Sequence, residues 1–321
     1  MDIFDQIIDE FSTVPHVHEW PEVQALFRRV ASGKPGHWLL PLRTCESVGG
    51  TKEQSLPAIV AVACSHIGIV LVDDMLDADP RGEHLRVGAP AAANMASALQ
   101  SAALAVIARC DMDSDAKLMA LESVNEMFLA TTIGQYWDVN SIVVDESSYW
   151  RIAKGKSSPF FGASFQIGAL MGGVSVDVAA QIKELGSLYG EMIQIHDDLN
   201  DTMAVPANPD WTEGRSPLPI LFARLVDHPA RARFEEIYPY AGSSPKVLEE
   251  AQEILIHCGA VSYCVHQLLS RYETVKGILS GLSLERNEIL EKIFDDVVQP
   301  VFKLFQELGE TSTSAPQVDA V

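Results

Sequence analysis

His66-Ile67-Gly68-Ile69-Val70-Leu71-Val72-Asp73-Asp74-Met75-Leu76-Asp77 is an apolar run that ends in a cluster of acids, and the same form recurs further along the chain. There, Tyr189 to Ile195 leads into Asp197-Asp198-Leu199-Asn200-Asp201. If both runs are helices, the first and fifth residues of each cluster lie on one face. Each carboxylate pair then projects near the C-terminal end of its helix, where the macrodipole disfavours negative charge and like charges at this spacing repel. A chain that does this twice calls for divalent cations. Hard carboxylate oxygens with no soft ligand nearby suit Mg²⁺, which keeps several waters and is completed by substrate phosphates. Two such helices facing across a bundle would build a metal site from opposite walls.

Outward from these two runs the pattern stays helical. The periodicity predicts helices at about 54–78, 91–109, 113–137, 146–173 and 177–202. An amphipathic helix with Ile3, Ile7, Ile8 and Phe11, a second from Pro21 to Ala31, and a stretch ending at Gly49-Gly50 precede them. The segment from Ala204 to Arg215 reads as a loop, and helices resume at about 217–227, 229–238, 245–257, 259–281 and 284–307. No strand-like alternation of useful length interrupts this. The expectation is an all-α fold, a single helical bundle over residues 1–309 around a central cavity, with polar residues 310–321 as a disordered tail.

Composition narrows the function. A chain of 321 residues with 47% hydrophobic content can bury a large core. Its formal charge of −21 speaks against nucleic acid and against attraction to anionic lipid, so an anionic substrate must be held by a local group of metals and cations. Cys45, Cys64, Cys110, Cys258 and Cys264 form no CxxC pair, no secretory signal is evident, and the expected location is the cytoplasm. Leu56 to Val72 approaches membrane-spanning length, but it carries Ser65 and His66 and ends in two aspartates, so it reads as a buried core helix.

The order of motifs resembles the trans-isoprenyl diphosphate (polyprenyl) synthases, all-α class I isoprenoid synthases. Gly33-Lys34 matches their GKxxRP element, and His66 stands where they have a histidine before the first aspartate-rich motif. Arg86-Val87-Gly88-Ala89-Pro90 falls at RRGxP, Gly134 to Asp138 at GQxxD, and Lys156-Ser157 at KT. Gln194 to Asp201 matches QxxDDxxD, and Glu213-Gly214-Arg215-Ser216-Pro217-Leu218-Pro219 echoes EGKxTLP. The resemblance implies a Mg²⁺-dependent prenyltransferase, with about three ions present when substrate is bound. It would ionise an allylic prenyl diphosphate and condense it with isopentenyl diphosphate. Asp73, Asp77 and Asp197 would be the main Mg²⁺ ligands, with Asp74, Asp198 and Asp201 ligating or organising bound water. Lys156, Arg86 and Arg215 would hold the diphosphate with Gln194 nearby, and Lys34, His37 and His66 would serve the acceptor. A homodimer is implied by the same analogy.

The chain also departs from the pattern. His37 and Trp38 replace the arginine and proline of GKxxRP, and Val87 replaces the second arginine of RRG. Each lost charge-assisted phosphate contact removes roughly 1.5–3 kcal/mol. The ionising half is therefore expected to be intact and the acceptor half remodelled, with Arg81 and His84 as candidate replacements. The alternatives are a synthase-derived terpene synthase or cyclase, a prenyltransferase with another acceptor, and a non-catalytic subunit. Small Gly68 and medium Ile69 before Asp73 are expected to leave the product pocket open beyond C10.

Overall fold

The computed structural model describes residues 2–213 and 216–313, with the backbone alone for Glu213 and for residues 304–313. In chain order the helices are α1 (Ile3–Phe11), α2 (Pro21–Ser32), α3 (Leu40–Ser47), α4 (Lys52–Leu76), α5 (Glu83–Val87) and α6 (Ala89–Ala108). They continue with α7 (Ser114–Asn140), α8 (Glu146–Lys156), α9 (Ser158–Met171), α10 (Val176–Met203) and α11 (Pro209–Glu213). The last are α12 (Leu218–Leu225), α13 (Arg231–Ala241), α14 (Pro245–His257), α15 (Ala260–Gly281) and α16 (Asn287–Thr313). No strand occurs among the described residues, so the fold is all-α. The helix of α16 runs to Thr313, and the remainder of the expected tail lies outside the described residues.

The two acid clusters do end helices. Helix α4 opens at a capping box, in which Gln54 Oε1 accepts from the Thr51 N–H at 2.7 Å and Thr51 Oγ1 accepts from the Gln54 N–H at 3.3 Å. It closes at Asp77, the C-cap residue, whose N–H returns to the Asp73 carbonyl. Between these ends nearly every residue from Ala58 to Gly68 is buried, so α4 is a core helix with apolar side chains on all sides. Helices α4 and α6 are each long and apolar enough to cross a membrane by composition, and burial of most of α4 inside the bundle accounts for its apolarity.

Helix α9 is the wedge between the acid-bearing helices, packing against α4, α7 and α10. The periodicity predicted one helix over 146–173, but the structure divides it at Ser157. Pro159 explains the break, because proline is tolerated in the first turn of a helix and disrupts its interior. The division lets α8 take its own direction, with Lys156 at its end. Close contact with α10 needs Gly186: a Cβ there would lie 2.5 Å from the Phe161 carbonyl oxygen.

A second, smaller core gathers α11 to α14 around Trp211, Phe234 and Leu255. It anchors the end of α10. Trp211 Nε1 and Gln252 Nε2 both donate to the Thr202 carbonyl, at 3.2 and 3.1 Å. That carbonyl belongs to the last turn of α10, where no intrahelical donor remains. The second acid cluster is thus held at a pinned helix end.

Candidate active site

A cleft of about 780 Å³ opens between the ends of α4, α7, α8 and α10. Asp77 lines it from the first cluster, and Asp197, Asp198 and Asp201 line it from the second, together with Asp138, Lys156 and Gln194. The two motifs thus supply acidic walls to one cleft, and Lys156 sits on the wall of the first, paired with Asp73 and Asp138.

Lys156 reaches that position because α7 and α8 cross at almost van der Waals limit. A Cβ on Gly134 would stand 2.3 Å from the Gly155 carbonyl carbon, so only glycine permits the crossing. The Lys156 ammonium then donates to Asp138 Oδ2 at 2.7 Å and lies 3.3 Å from Asp73 Oδ1. Gln135 Nε2 holds the same Asp73 oxygen at 3.3 Å. Partial burial opposes the lysine's charge, yet the carboxylates of Asp138, Asp73 and Asp77 outweigh it and raise its pKa above the usual lysine range. Lys156 is a fixed cation at the acidic wall.

Asp198 has a different task from its neighbours. It is 7% exposed, and its carboxylate accepts from Tyr149 Oη at 2.7 Å, the Leu218 N–H at 2.7 Å and Gln194 Nε2 at 2.8 Å. Burial pushes its pKa up to about 6, with those three donors opposing the rise. Gln194 is itself oriented by Ser157 Oγ, which donates to Oε1 at 2.7 Å. Asp198 thus knits α8, α10 and the start of α12 together. Asp197 faces the open cleft, where crowding by its walls raises its pKa and Asp201 adds to the rise. Asp74 is raised as well, first by burial and then by Asp79 and Asp73.

His37 and His66 are brought together, with ring centroids 4.2 Å apart and Phe160 packed on both. Trp38, fully buried, donates from Nε1 to His66 Nδ1 at 3.2 Å. Burial lowers His37 to about 4, and burial with the neighbouring His37 lowers His66 to about 3. Both rings are neutral near pH 7, so this pair supplies hydrogen-bonding groups and no charge. The His37 Nε2 atom is buried without a hydrogen-bond partner.

Two expected binding residues lie in surface ion pairs. Lys34 meets Asp2 at 2.6 Å, and Arg86 donates from Nε to Glu83 at 2.8 Å, where Arg29 also binds. Of the candidate replacements, Arg81 pairs with Asp79 at 2.9 Å, while His84 sits beside Asp74. Arg215 lies outside the described residues. Gly68 faces α6: a Cβ there would lie 3.4 Å from the Ala96 carbonyl, an ordinary contact distance, so the packing of α4 on α6 does not by itself require a glycine.

The donor set suits a hard divalent cation. Among the described residues, six aspartates line the cleft together with the cations Lys156 and Arg224, and the acids present oxygen alone. Among the described residues no three ligating side chains already converge on one point. Mg²⁺ is ordinarily held by one or two carboxylates plus phosphate and water, so separated aspartates on two walls fit it well.

Sequence reasoning named Asp138 and Gln135 only as parts of a motif and passed over Tyr149 entirely. The GQxxD element was a signal for the first two, whereas Tyr149 had none beyond its place on the face of α8 that carries Lys156.

The polyprenyl synthetase family profile matches residues 23–255. A geranylgeranyl diphosphate synthase from Methanosarcina mazei is 27% identical over 272 residues, covering 78% of this chain and 81% of that protein. A short chain isoprenyl diphosphate synthase from Methanothermobacter thermautotrophicus is 28% identical over 277 residues, covering 82% of each. The crystal structure of a geranylgeranyl pyrophosphate synthetase from Pyrococcus horikoshii superposes with a TM-score of 0.78 at 21% identity, covering 92% of this chain and 94% of that one. That superposition shows the shared fold, and the match along most of the chain shows the rest: this protein belongs to the polyprenyl synthetase family and is a prenyltransferase.

Proposed function

We propose that the cleft ionises an allylic prenyl diphosphate and passes the prenyl group to isopentenyl diphosphate, yielding a longer prenyl diphosphate. The observation that carries this reading is Lys156, held between Asp138 and Asp73 on the wall opposite Asp197 and Asp201. Asp73, Asp77, Asp197 and Asp201 would hold Mg²⁺ together with the substrate diphosphate. Bound there, the metal neutralises charge that develops on the departing pyrophosphate.

The chain's own groups do the rest. Lys156 is preorganised to donate to diphosphate oxygens as their charge grows, so it stabilises the transition state more than the ground state. Asp198 keeps Gln194 and α8 in place and does not need to ligate. Apolar residues such as Leu76, Val139 and Ile152 line the same cleft and shield a developing carbocation from water. The neutral His37–His66 pair lies on the α4 side and would meet the acceptor through hydrogen bonds. With Lys34 and Arg86 in ion pairs, acceptor binding through Lys34 and diphosphate binding through Arg86 each require the side chain to change partners. The exposed apolar face of α7 supports a homodimer, and five unpaired cysteines support a reducing, cytoplasmic setting.

The test is a Mg²⁺ assay with C10, C15 and C20 allylic diphosphates, with and without isopentenyl diphosphate. Pyrophosphate release that depends on isopentenyl diphosphate is the expected result. Release without it, giving a hydrocarbon or alcohol, would replace this reading with that of a terpene synthase. Asp73→Ala and Asp197→Ala should abolish turnover in folded protein, and near-normal rates in either would remove the metal assignment.

A further inference from the structure

Helix α8 has two working faces. Tyr149, Ile152, Ala153 and Lys156 line the cleft, while Glu146, Trp150 and Lys154, spaced four apart, face away from it. The outer face is tied to α15, through Arg271 at Trp150 and through Tyr263 at Glu146. Arg271 donates from Nε to Glu191 Oε2 of α10 at 2.8 Å, and its guanidinium carbon lies 3.9 Å from the Trp150 ring centroid. Lys154 reaches the other oxygen of Glu191 at 3.2 Å. Arg271 Nη1 also donates to Gln267 Oε1 at 2.8 Å, Gln267 Nε2 donates to Tyr263 Oη at 2.9 Å, and Tyr263 donates to Glu146. Trp150 Nε1 donates to the same Glu146 oxygen at 3.0 Å, which closes the circuit back to the indole under Arg271.

We propose that Arg271 is a positioning residue for the prenyl transfer: it fixes α8 against α10 so that Tyr149 and Lys156 meet the acidic walls in register. The inference rests on the reading of the cleft given above. Arg271 and Glu191 expose only 12% and 9% of their side chains, so the pair is sheltered from screening by solvent. Glu191 stands one helical turn before Gln194 and two before Asp198, on the helix that carries the second cluster. Trp150 adjoins Tyr149, the residue that donates to Asp198. A guanidinium suits the place because it forms a planar fork to oxygen and stacks on an aromatic face together, which an ammonium cannot do. The far end of α8 is fixed by the glycine crossing with α7. The Arg271 circuit fixes the end that bears Tyr149.

The experiment is a kinetic cycle on the full-length protein: wild type, Arg271→Met, Tyr149→Phe and the double variant, with thermal melting of each. A loss of register of about 1 Å costs on the order of a hundredfold, so Arg271→Met is expected to lower kcat by about 10- to 100-fold. Its KM for isopentenyl diphosphate should stay within about threefold, since the loss falls on the transition state. Because Arg271 acts through α8, the double variant should be little worse than the poorer single variant. Arg271→Lys, which keeps the charge and loses the fork, should fall between, and it carries the test if Arg271→Met does not fold. Additive losses, or a kcat within twofold for an active wild type, overturn the clamp alone. A wild type that releases no pyrophosphate overturns the reading of the cleft and the clamp with it.

Discussion

Lys156 is the cation on which the proposed chemistry of the cleft turns. Its charge is held by Asp138 and Asp73, so Lys156→Gln would remove a donor and also leave two carboxylates without their cation. Loss of one preorganised donor to a developing anion costs about 10²- to 10³-fold in kcat. Steady-state kinetics should show a loss of that size for Lys156→Gln, with a folded circular dichroism spectrum. The histidine pair makes a second prediction. Both folded pKa values lie below the ordinary 6.5 of histidine, at about 4 for His37 and about 3 for His66. The unfolded chain therefore takes up protons first as the pH falls. The stability is fully present above about pH 6.5 and is lost progressively towards pH 4 and 3. His66→Gln, whose amide oxygen can still accept from Trp38, should shift the acid-unfolding midpoint to lower pH. An unchanged midpoint would show that the pair does not govern acid stability.

Elements, rather than single residues, decide where those groups meet. The two DDxxD clusters were legible in the sequence because their spacing matches a helical turn and each follows an apolar run. The position of α8 was not legible. The hydrophobic pattern runs without pause across Ser157, and only Pro159 marks the break. Asp198 shows the same limit: it reads as one more metal ligand until Tyr149 and the Leu218 N–H, both distant in sequence, are seen to bind it. Lys34 and Arg86 carry the family's letters, yet nearby acids pair with both, and pairing of that kind depends on packing that a motif does not encode. The α7–α8 crossing can be tested directly. Gly134→Ala places a methyl against the Gly155 carbonyl and must push α8 outward. Overpacking of this kind costs about 1–3 kcal/mol of stability, readable as a lower unfolding midpoint in urea. Because Lys156 follows Gly155 directly, activity should fall further than the lost stability explains when both are measured well below the melting temperature.

The whole molecule presents an asymmetry of surface. It carries a formal charge of −21, yet along the outer side of α7 Leu129, Ile133 and Tyr136 are 67%, 42% and 57% exposed. Their spacing of four and three residues makes them one stripe on one helical face. Part of a shallow groove shared with α6 runs beside them, lined by Leu104 and Phe128 among others. A highly charged protein that carries such an apolar stripe on one helix is better served by covering it than by leaving it in water. A second copy of the chain is the simplest cover, since a two-fold axis lets one patch complement itself. Light scattering after gel filtration should therefore give twice the chain mass of 35.0 kDa at micromolar concentration. Leu129→Asp with Ile133→Asp should yield a folded monomer, because exposed substitutions of this sort change monomer stability by only about 0.5 kcal/mol. Charges facing each other across the two-fold axis, by contrast, repel at every encounter. If the double variant still runs as a dimer, the stripe on α7 is not the interface. Should it instead become monomeric with its cleft chemistry unchanged, the active site is complete within one subunit and the pairing serves to cover apolar surface.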